Sequence, residues 1–313
     1  MSNPRVSSKH HSLRPENLQV KQPQKSSLDP VGVMLIILSS VGFSTLAIFG
    51  KLAYANNLNP LSALSWRLGG AAIILWLWLL LQRQWHMQYR GAIAAFSLGA
   101  FGYAAQSALF FNALAHASAG VTALMFYTYP AFVALLSWIV VRKPINAWQS
   151  KALGLALLGS ILTVNLNQQV ANPVGIGLGI AAGVGYAFYL LLGARLVRDI
   201  PPLHAAAFML LGAAFSVTGW AAIHQGVMIP TTSGAIVAVA GLAVLSTALP
   251  IVCLFSGLRR LDVVPAAILS TLEPVLAVLM GILLLGEQLW LGQIFGAALI
   301  ITSALMLNAK RSS

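Results

Sequence analysis

The sequence is poor in charge, and this shortage narrows the class of protein. Only 8% of the 313 residues are charged and 58% are hydrophobic, with a mean hydropathy of +0.84. A soluble domain is about one quarter charged. So little polar surface cannot cover an apolar core of this size in water, so we expect a protein solvated mainly by the lipid bilayer.

Cysteine and nucleotide-binding patterns are also lacking. Cys253 is the only cysteine, which excludes an intramolecular disulfide and a zinc site built from cysteines. The six histidines are scattered without ligand spacing, so the sequence predicts no metal site and no cofactor. No G-x-x-x-x-G-K-[ST] loop occurs, which argues against ATP as the energy source.

Long apolar runs are what the sequence has instead. A helix that crosses the hydrocarbon core needs about 17–25 residues, and ten runs approach or exceed this length. Short connections with Asn, Pro and Gly separate them, which leaves no room for a soluble domain. The predicted spans are 31–54, 60–82, 91–114, 119–141, 148–167, 174–197, 202–224, 233–257, 263–285 and 290–308.

The basic residues alternate along the chain in a way that predicts topology. Residues 1–30 form a polar, basic segment that we interpret as a disordered cytoplasmic tail, although a transit peptide has a similar composition. Sixteen of the 18 Lys and Arg residues lie in this tail, after even-numbered spans or in the C-terminal tail 309–313. Positive connections stay in the cytoplasm, so both termini are predicted to be cytoplasmic. The net charge of +12 therefore indicates membrane topology and not a nucleic-acid partner.

The chain contains an internal repeat of five spans. Pro30-Val-Gly matches Pro173-Val-Gly at an offset of 143, and Tyr129-Pro130 matches Glu273-Pro274 at an offset of 144. Because five is odd, the second copy enters the membrane from the opposite side. The predicted fold is thus an all-α membrane protein with ten transmembrane helices as two inverted five-helix repeats, 31–168 and 174–308. Inverted repeats are typical of secondary transporters, with the substrate near the midplane between the halves.

The end of the second repeat resembles a known family. The run from Leu272 to Leu289, with Glu273-Pro274 and Gly286-Glu287, is similar to EamA-type members of the drug/metabolite transporter superfamily. The first copy departs from that motif, with Tyr129-Pro130 and Arg142-Lys143-Pro144. The resemblance implies a multi-pass carrier of the bacterial inner membrane, often an exporter of amino acids or other small metabolites.

Two charged residues lie deep inside predicted spans. Glu273 is about halfway along the ninth span and Arg67 is in the outer part of the second. A charge near the bilayer centre costs roughly 2.5–3.5 kcal/mol by insertion measurements and normally faces the bundle interior. We therefore predict that the two interact across the repeats at a substrate or coupling site. The alternatives are a structural role for Glu273 and snorkelling of Arg67, or of Lys51, to the outer interface.

Prolines and polar residues at similar depth complete the predicted site. Pro130 and Pro274 lie near the middle of the fourth and ninth spans, where they predict either paired hinges or harmless kinks. Hydroxyl and amide side chains in membrane helices often only bond to neighbouring backbone, so lining the site is one of two readings for each. These candidates are Ser44, Thr45, Gln106, Tyr127, Tyr129, Ser270 and Thr271.

The sequence therefore favours one function and leaves two others open. It favours a secondary transporter, an exporter of small molecules by alternating access, with Glu273 as a coupling carboxylate and protons as a candidate coupling ion. A passive channel or structural membrane protein is the first alternative. A membrane-embedded enzyme is the second, although the lone cysteine and the dispersed His and Asp residues offer no catalytic constellation.

Overall fold

The computed structural model describes residues 28–84, 86, 88–117, 119–163, 172–224, 226–285 and 290–309. Most of the predicted N-terminal tail, the end of the C-terminal tail and the Gly286-Glu287 pair lie outside these residues. Within them the regular structure is helical, and π-helical turns interrupt two of the helices.

The described part of the first repeat contains eight α-helices. Asp29 and Asn59 cap the helices that follow them, each with a proline in the first turn, where the missing N–H costs nothing. A π-helical segment at Leu98–Tyr103 joins α4 to α5. The helices are α1 (Pro30–Ser44), α2 (Leu46–Ala55), α3 (Pro60–Leu81), α4 (Tyr89–Ser97), α5 (Ala104–His116), α6 (Ala119–Phe126), α7 (Tyr129–Val141) and α8 (Ala147–Thr163).

The second repeat follows the same plan. Asn172 caps its first helix, again with a proline next, and a π-helical segment at Val244–Ala248 joins α11 to α12. The helices are α9 (Pro173–Asp199), α10 (Pro202–His224), α11 (Ser233–Ala243), α12 (Leu249–Arg260), α13 (Val263–Ser270), α14 (Leu272–Leu285) and α15 (Leu291–Ala309).

Eight helical stretches of the described chain are long and apolar enough to cross a membrane. They coincide with eight of the predicted spans. The predicted spans 148–167 and 290–308 correspond to shorter helices: α8 has 17 residues, and the apolar part of α15 is Leu291–Leu307. Residues 164–167 lie outside the described ranges, so helix length alone establishes a multi-pass protein but not the count of ten spans.

Three other helical stretches are each interrupted by a turn, and a threonine side chain closes each interruption. The Oγ1 hydroxyls of Thr45, Thr128 and Thr271 donate to the carbonyl oxygens three residues earlier, at 2.7, 2.5 and 2.6 Å. Backbone groups freed inside a membrane need such partners. Two of the interruptions come just before Pro130 and Pro274, where the sequence predicts them; movement about these prolines stays a prediction. The interruption at Thr45 has no proline, and we did not predict it.

The two repeats pack against each other through glycines. A Cβ at Gly32 of α1 would lie 2.8 Å from Leu261 Cγ, and a Cβ at Gly175 of α9 would lie 2.7 Å from Ala117 Cβ. The first helix of each repeat thus begins against the end of the third helical stretch of the other repeat. Because α1 starts at the same end of the bundle where α9 finishes, around one shared cavity, the repeats run in opposite directions.

Candidate functional site

A cavity of about 100 Å³ lies between the repeats, and we call it the central cavity. Polar and charged side chains converge on it from α3, α5, α9 and α14, while phenylalanines cover much of the remaining wall. Its lining residues are Phe43, Leu46, Arg67, Tyr103, Gln106, Ser107, Phe110, Phe111, Ala123, Phe126, Tyr127, Tyr186 and Glu273.

Arg67 is buried in this wall and held by one partner from each repeat. Only 7% of the residue is exposed. Its Nε donates to Thr247 Oγ1 at 2.7 Å, and one terminal nitrogen donates to the Tyr103 hydroxyl at 3.0 Å. Thr247 in turn donates to the Leu242 carbonyl at 2.7 Å. A buried cation needs such hydrogen bonds to offset its desolvation, so the guanidinium is fixed in one position.

Glu273 supplies the opposite charge in the same cavity. It is half-buried in the first turn of α14, beside the phenol of Tyr127 and within electrostatic range of Arg67. The hydrogen bonds of Arg67 in the described structure go to Thr247 and Tyr103, and no direct ion pair joins Arg67 to Glu273. The cavity therefore presents two separated charges of opposite sign, and energetic coupling between them stays a prediction.

The other predicted site residues divide into two groups. Gln106 and Tyr127 line the central cavity. The hydroxyls of Ser44, Thr45, Ser270 and Thr271 instead donate to carbonyls three or four residues earlier in their own helices, and none of these four residues is in the cavity lining. Short side chains on a helix reach their own backbone more easily than a cavity across the bundle.

Tyr129 and Lys51 do not line the central cavity either. Tyr129 is 1% exposed, and its ring packs on Tyr186 with the centroids 4.8 Å apart. Its hydroxyl donates to the Ala267 carbonyl at 3.4 Å. Lys51 is exposed on α2 and is not among the lining residues.

Tyr129 and three tyrosines that we did not single out, Tyr103, Tyr186 and Tyr189, form a layer beneath the central cavity. Tyr103 packs on Tyr189, Tyr189 on Tyr186, and Tyr186 on Tyr129, with ring centroids 4.8–5.4 Å apart. Phe255 extends the layer from α12. The three-residue spacing of Tyr186 and Tyr189 places both rings on one face of α9, and this spacing is the signal that could have identified them.

A second cavity of about 380 Å³ lies at the end of the bundle where α1 begins, and we call it the basal cavity. Ser137, Ala194 and Val264 line it. The tyrosine layer separates it from the central cavity: along α7 Tyr129 precedes Ser137, and along α9 Tyr186 and Tyr189 precede Ala194. The two cavities therefore approach the middle of the bundle from opposite ends without joining.

The described residues contain no group of three or more His, Cys, Asp or Glu side chains that could hold a metal ion. The charged groups that the central cavity offers are instead one guanidinium and one carboxyl group.

The fold and this site define a multi-pass membrane protein with two repeats around a charged cavity. Comparison with known proteins then identifies the family. The EamA-like transporter family matches residues 30–165 and 173–309. The chain belongs to this family, which confirms the resemblance noted from the Glu273-Pro274 motif.

Curated relatives of this chain are transporters by name. It is 26% identical over 290 residues to the uncharacterized transporter YcbK of Bacillus subtilis strain 168, covering 89% of this chain and 93% of YcbK. It is 31% identical over 212 residues to the threonine/homoserine exporter RhtA of Salmonella typhimurium strain SL1344, covering 67% of each chain. The family and these names indicate a transporter and not an enzyme.

A solved crystal structure shares the fold. Its TM-score is 0.74 at 21% identity, with 90% of this chain and 99% of that chain covered. At this identity the likeness supports the architecture of the bundle alone.

Proposed function

We propose that the protein is a secondary-active exporter of small zwitterions, with α-amino acids as the substrate class. The observation that carries this proposal is the pair of opposite charges, Arg67 and Glu273, in one cavity between the repeats. An uncharged substrate would not need either group, and burying both costs free energy.

Each charge has a role in binding such a substrate. The Arg67 guanidinium, fixed by Thr247 and Tyr103, is suited to a carboxylate, because its planar N–H donors match two carboxylate oxygens. Glu273, with Tyr127 beside it, takes the ammonium group. A volume of about 100 Å³ holds several water molecules, at roughly 10–15 Å³ for each. This space suits a small amino acid better than a drug-sized molecule, and the name of RhtA points to the same class.

The tyrosine layer favours a carrier over a passive channel. A channel needs a continuous path, whereas here Tyr129, Tyr186 and Tyr189 separate the two cavities. In alternating access the repeats rock about the layer and expose the central cavity to one side at a time. The interruptions at Thr128 and Thr271, with Pro130 and Pro274 in the next turn, are the proposed hinges.

The proposed topology has ten spans, with both termini in the cytoplasm of a bacterium and the bundle in its inner membrane. The distribution of Lys and Arg supports this orientation. The basal cavity would then face the cytoplasm. Glu273 is proposed to exchange its proton as the cavity opens to each side, which would couple export to the proton gradient.

Exchange of substrate across liposome membranes tests the function. Purified protein in liposomes loaded with threonine should take up labelled threonine in a saturable manner that increases with internal substrate. Equal flux with empty liposomes would indicate a channel. An amino alcohol lacks the carboxylate and a hydroxy acid lacks the ammonium group. Competition by these two compounds therefore tests the roles proposed for Arg67 and Glu273 separately. Arg67→Ala should weaken recognition of threonine and the hydroxy acid but not of the amino alcohol.

A further inference from the structure

Two ion pairs join the repeats at the basal end of the bundle. Arg260 at the end of α12 donates to Asp29 before α1 at 3.0 Å, and Lys143 after α7 donates to Asp262 before α13 at 2.7 Å. Each pair takes one residue from each half of the chain. All four residues line the basal cavity, so the repeats cannot separate there without breaking both pairs.

The internal symmetry permits a comparison with the opposite end of the bundle. Gly32 lies against Leu261 just as Gly175 lies against Ala117. The contact between the start of α9 and the end of α5 is therefore the counterpart of the contact between the start of α1 and the end of α12. At the position of Asp29 the second repeat has Asn172, which caps α9 through the same bond to the backbone N–H two residues on, at 3.0 Å in both. The helix cap is therefore present in both repeats, whereas the negative charge is present at Asp29 and not at Asn172.

The partner residue differs as well. At an offset of 144, the counterpart of Arg260 is His116, whose Nδ1 is bonded to the Asn112 carbonyl of its own helix at 2.9 Å. The Asn172 side chain accepts a hydrogen bond from the Val174 backbone N–H and carries no charge. The counterparts of the Lys143–Asp262 pair, Glu287 and Ser118, lie outside the described residues. For the pair that can be compared, the ionic contact exists at the basal end alone.

We propose that Asp29–Arg260 and Lys143–Asp262 form an ionic gate, which holds the basal cavity closed. The proposal rests on alternating access as the mode of transport. Opening of the basal cavity would require both ion pairs to break. At the other end, the described contact that corresponds to Asp29–Arg260 has no ion pair to break.

The size of the effect follows from exposure. The side chains of Lys143 and Asp262 are 60% and 53% exposed, and those of Arg260 and Asp29 are 48% and 31% exposed. Exposed pairs contribute modestly and weaken in salt, so each should shift the gate equilibrium about two- to five-fold. The Arg260 guanidinium holds the pKa of Asp29 below its ordinary value. The carboxylate is therefore ionised at neutral pH, and the pair is lost only as the solution is acidified past that lowered pKa.

Cysteine labelling measures opening without measuring transport. Cys253 is the only cysteine, so Cys253→Ala provides a cysteine-free background. Ser137→Cys in that background places one thiol on α7 in the wall of the basal cavity, at a position 3% exposed in the structure. The rate at which a polar maleimide modifies this thiol in detergent solution then reports how often the cavity opens.

Neutralising one partner should speed the labelling. Asp29→Asn keeps the helix cap, as Asn172 does in the second repeat, and should raise the rate about two- to five-fold. Asp262→Asn should act similarly, and the two together should act multiplicatively. The matched control is Asp199→Asn, which removes the same charge near the same end from a residue that forms no ion pair in the described part of the chain, and the rate should not change.

Two further measurements test whether misfolding, and not opening of the gate, causes faster labelling. Exchanging the charges, with Lys143→Asp and Asp262→Lys in one chain, should restore the slow rate. A thiol at exposed Lys151 (Lys151→Cys) should be labelled equally in all variants. Unchanged labelling at position 137 after both neutralisations would overturn the gate. Faster labelling in a protein that fails to exchange threonine would retain the gate and reject the proposed substrate.

Discussion

Thr247→Val is the sharpest test of how the central cavity is built. Thr247 is fully buried, and its hydroxyl accepts a hydrogen bond from Arg67 Nε at 2.7 Å while donating to the Leu242 carbonyl at 2.7 Å. Valine has nearly the same shape and no hydroxyl. The substitution therefore leaves the Arg67 Nε donor and the Leu242 carbonyl without this partner, while the packing around them is kept.

The charge on Arg67 determines how much stability Thr247→Val should lose. A hydrogen bond to a charged group contributes about 1.5–3 kcal/mol, and leaving a buried donor unsatisfied is costly. We therefore expect Thr247→Val to lower the free energy of unfolding by about 1.5–3 kcal/mol. If Arg67 binds the substrate carboxylate, its loss of position should also weaken the apparent affinity for threonine about ten- to 150-fold, which is the same free energy expressed as a ratio.

Thr122→Val is the matched control. Thr122 is also fully buried, but its hydroxyl has no hydrogen-bond partner in the described structure. Removing that hydroxyl should leave stability unchanged or raise it. Thermal unfolding in detergent and threonine exchange in liposomes would be measured for both variants. Equal behaviour of Thr247→Val and Thr122→Val would refute the role assigned to the Arg67 hydrogen bonds.

Three further predictions concern the same cavity and its orientation. Glu273→Gln keeps the size of the side chain but removes its negative charge and its titratable proton. We therefore expect folded protein that binds threonine more weakly than the wild type and whose net export no longer depends on pH; unchanged pH dependence would reject proton coupling at this residue. Arg67→Ala and Glu273→Ala should each reduce exchange, and the double variant should lose less than the sum in free energy, whereas additive losses would separate the two residues. Alkaline phosphatase fused after Asn146, in the connection predicted to be cytoplasmic, should be inactive. Fused after Pro230, in a connection predicted to lie on the opposite side, it should be active; the reverse pattern would overturn the topology.

Much of the fold follows from the sequence because lipid leaves few choices. Each backbone group in the hydrocarbon core must be bonded within the chain, so long apolar runs become helical, and the described helical stretches, counted across their interruptions, begin and end within a few residues of the predicted spans. Interruptions also lie just before the prolines at positions 130 and 274. The interruption at Thr45 carries no such marker. At this interruption Thr45 makes a tertiary contact, the 2.8 Å hydrogen bond to Ser246 on the π-helical segment, which periodicity cannot reveal.

The site was less accessible to sequence reasoning. Arg67 and Glu273 stand out because charge is expensive in the membrane, and both line the central cavity. The partners of Arg67 do not stand out, since Tyr103 and Thr247 are ordinary residues for a membrane helix. Their proximity to Arg67 depends on the two π-helical segments, each of which widens a turn and shifts the side chains that follow it. A regular 3.6-residue period would assign those side chains to other faces.

The repeat itself indicates where function was added to the scaffold. Tyr103 and Thr247 are separated by 144 residues, the offset of the repeat, so equivalent positions of the two halves converge on Arg67. The charges do not follow this symmetry. At an offset of 142, the one that relates Pro60 to Pro202, the counterpart of Arg67 is the fully buried Met209, and the counterpart of Glu273 is Tyr129. The packing is therefore shared by both halves, whereas the cation belongs to the first and the carboxylate to the second. A symmetric bundle would hold a symmetric ligand; one charge from each half gives the cavity a direction, which a zwitterion with two different ends can match.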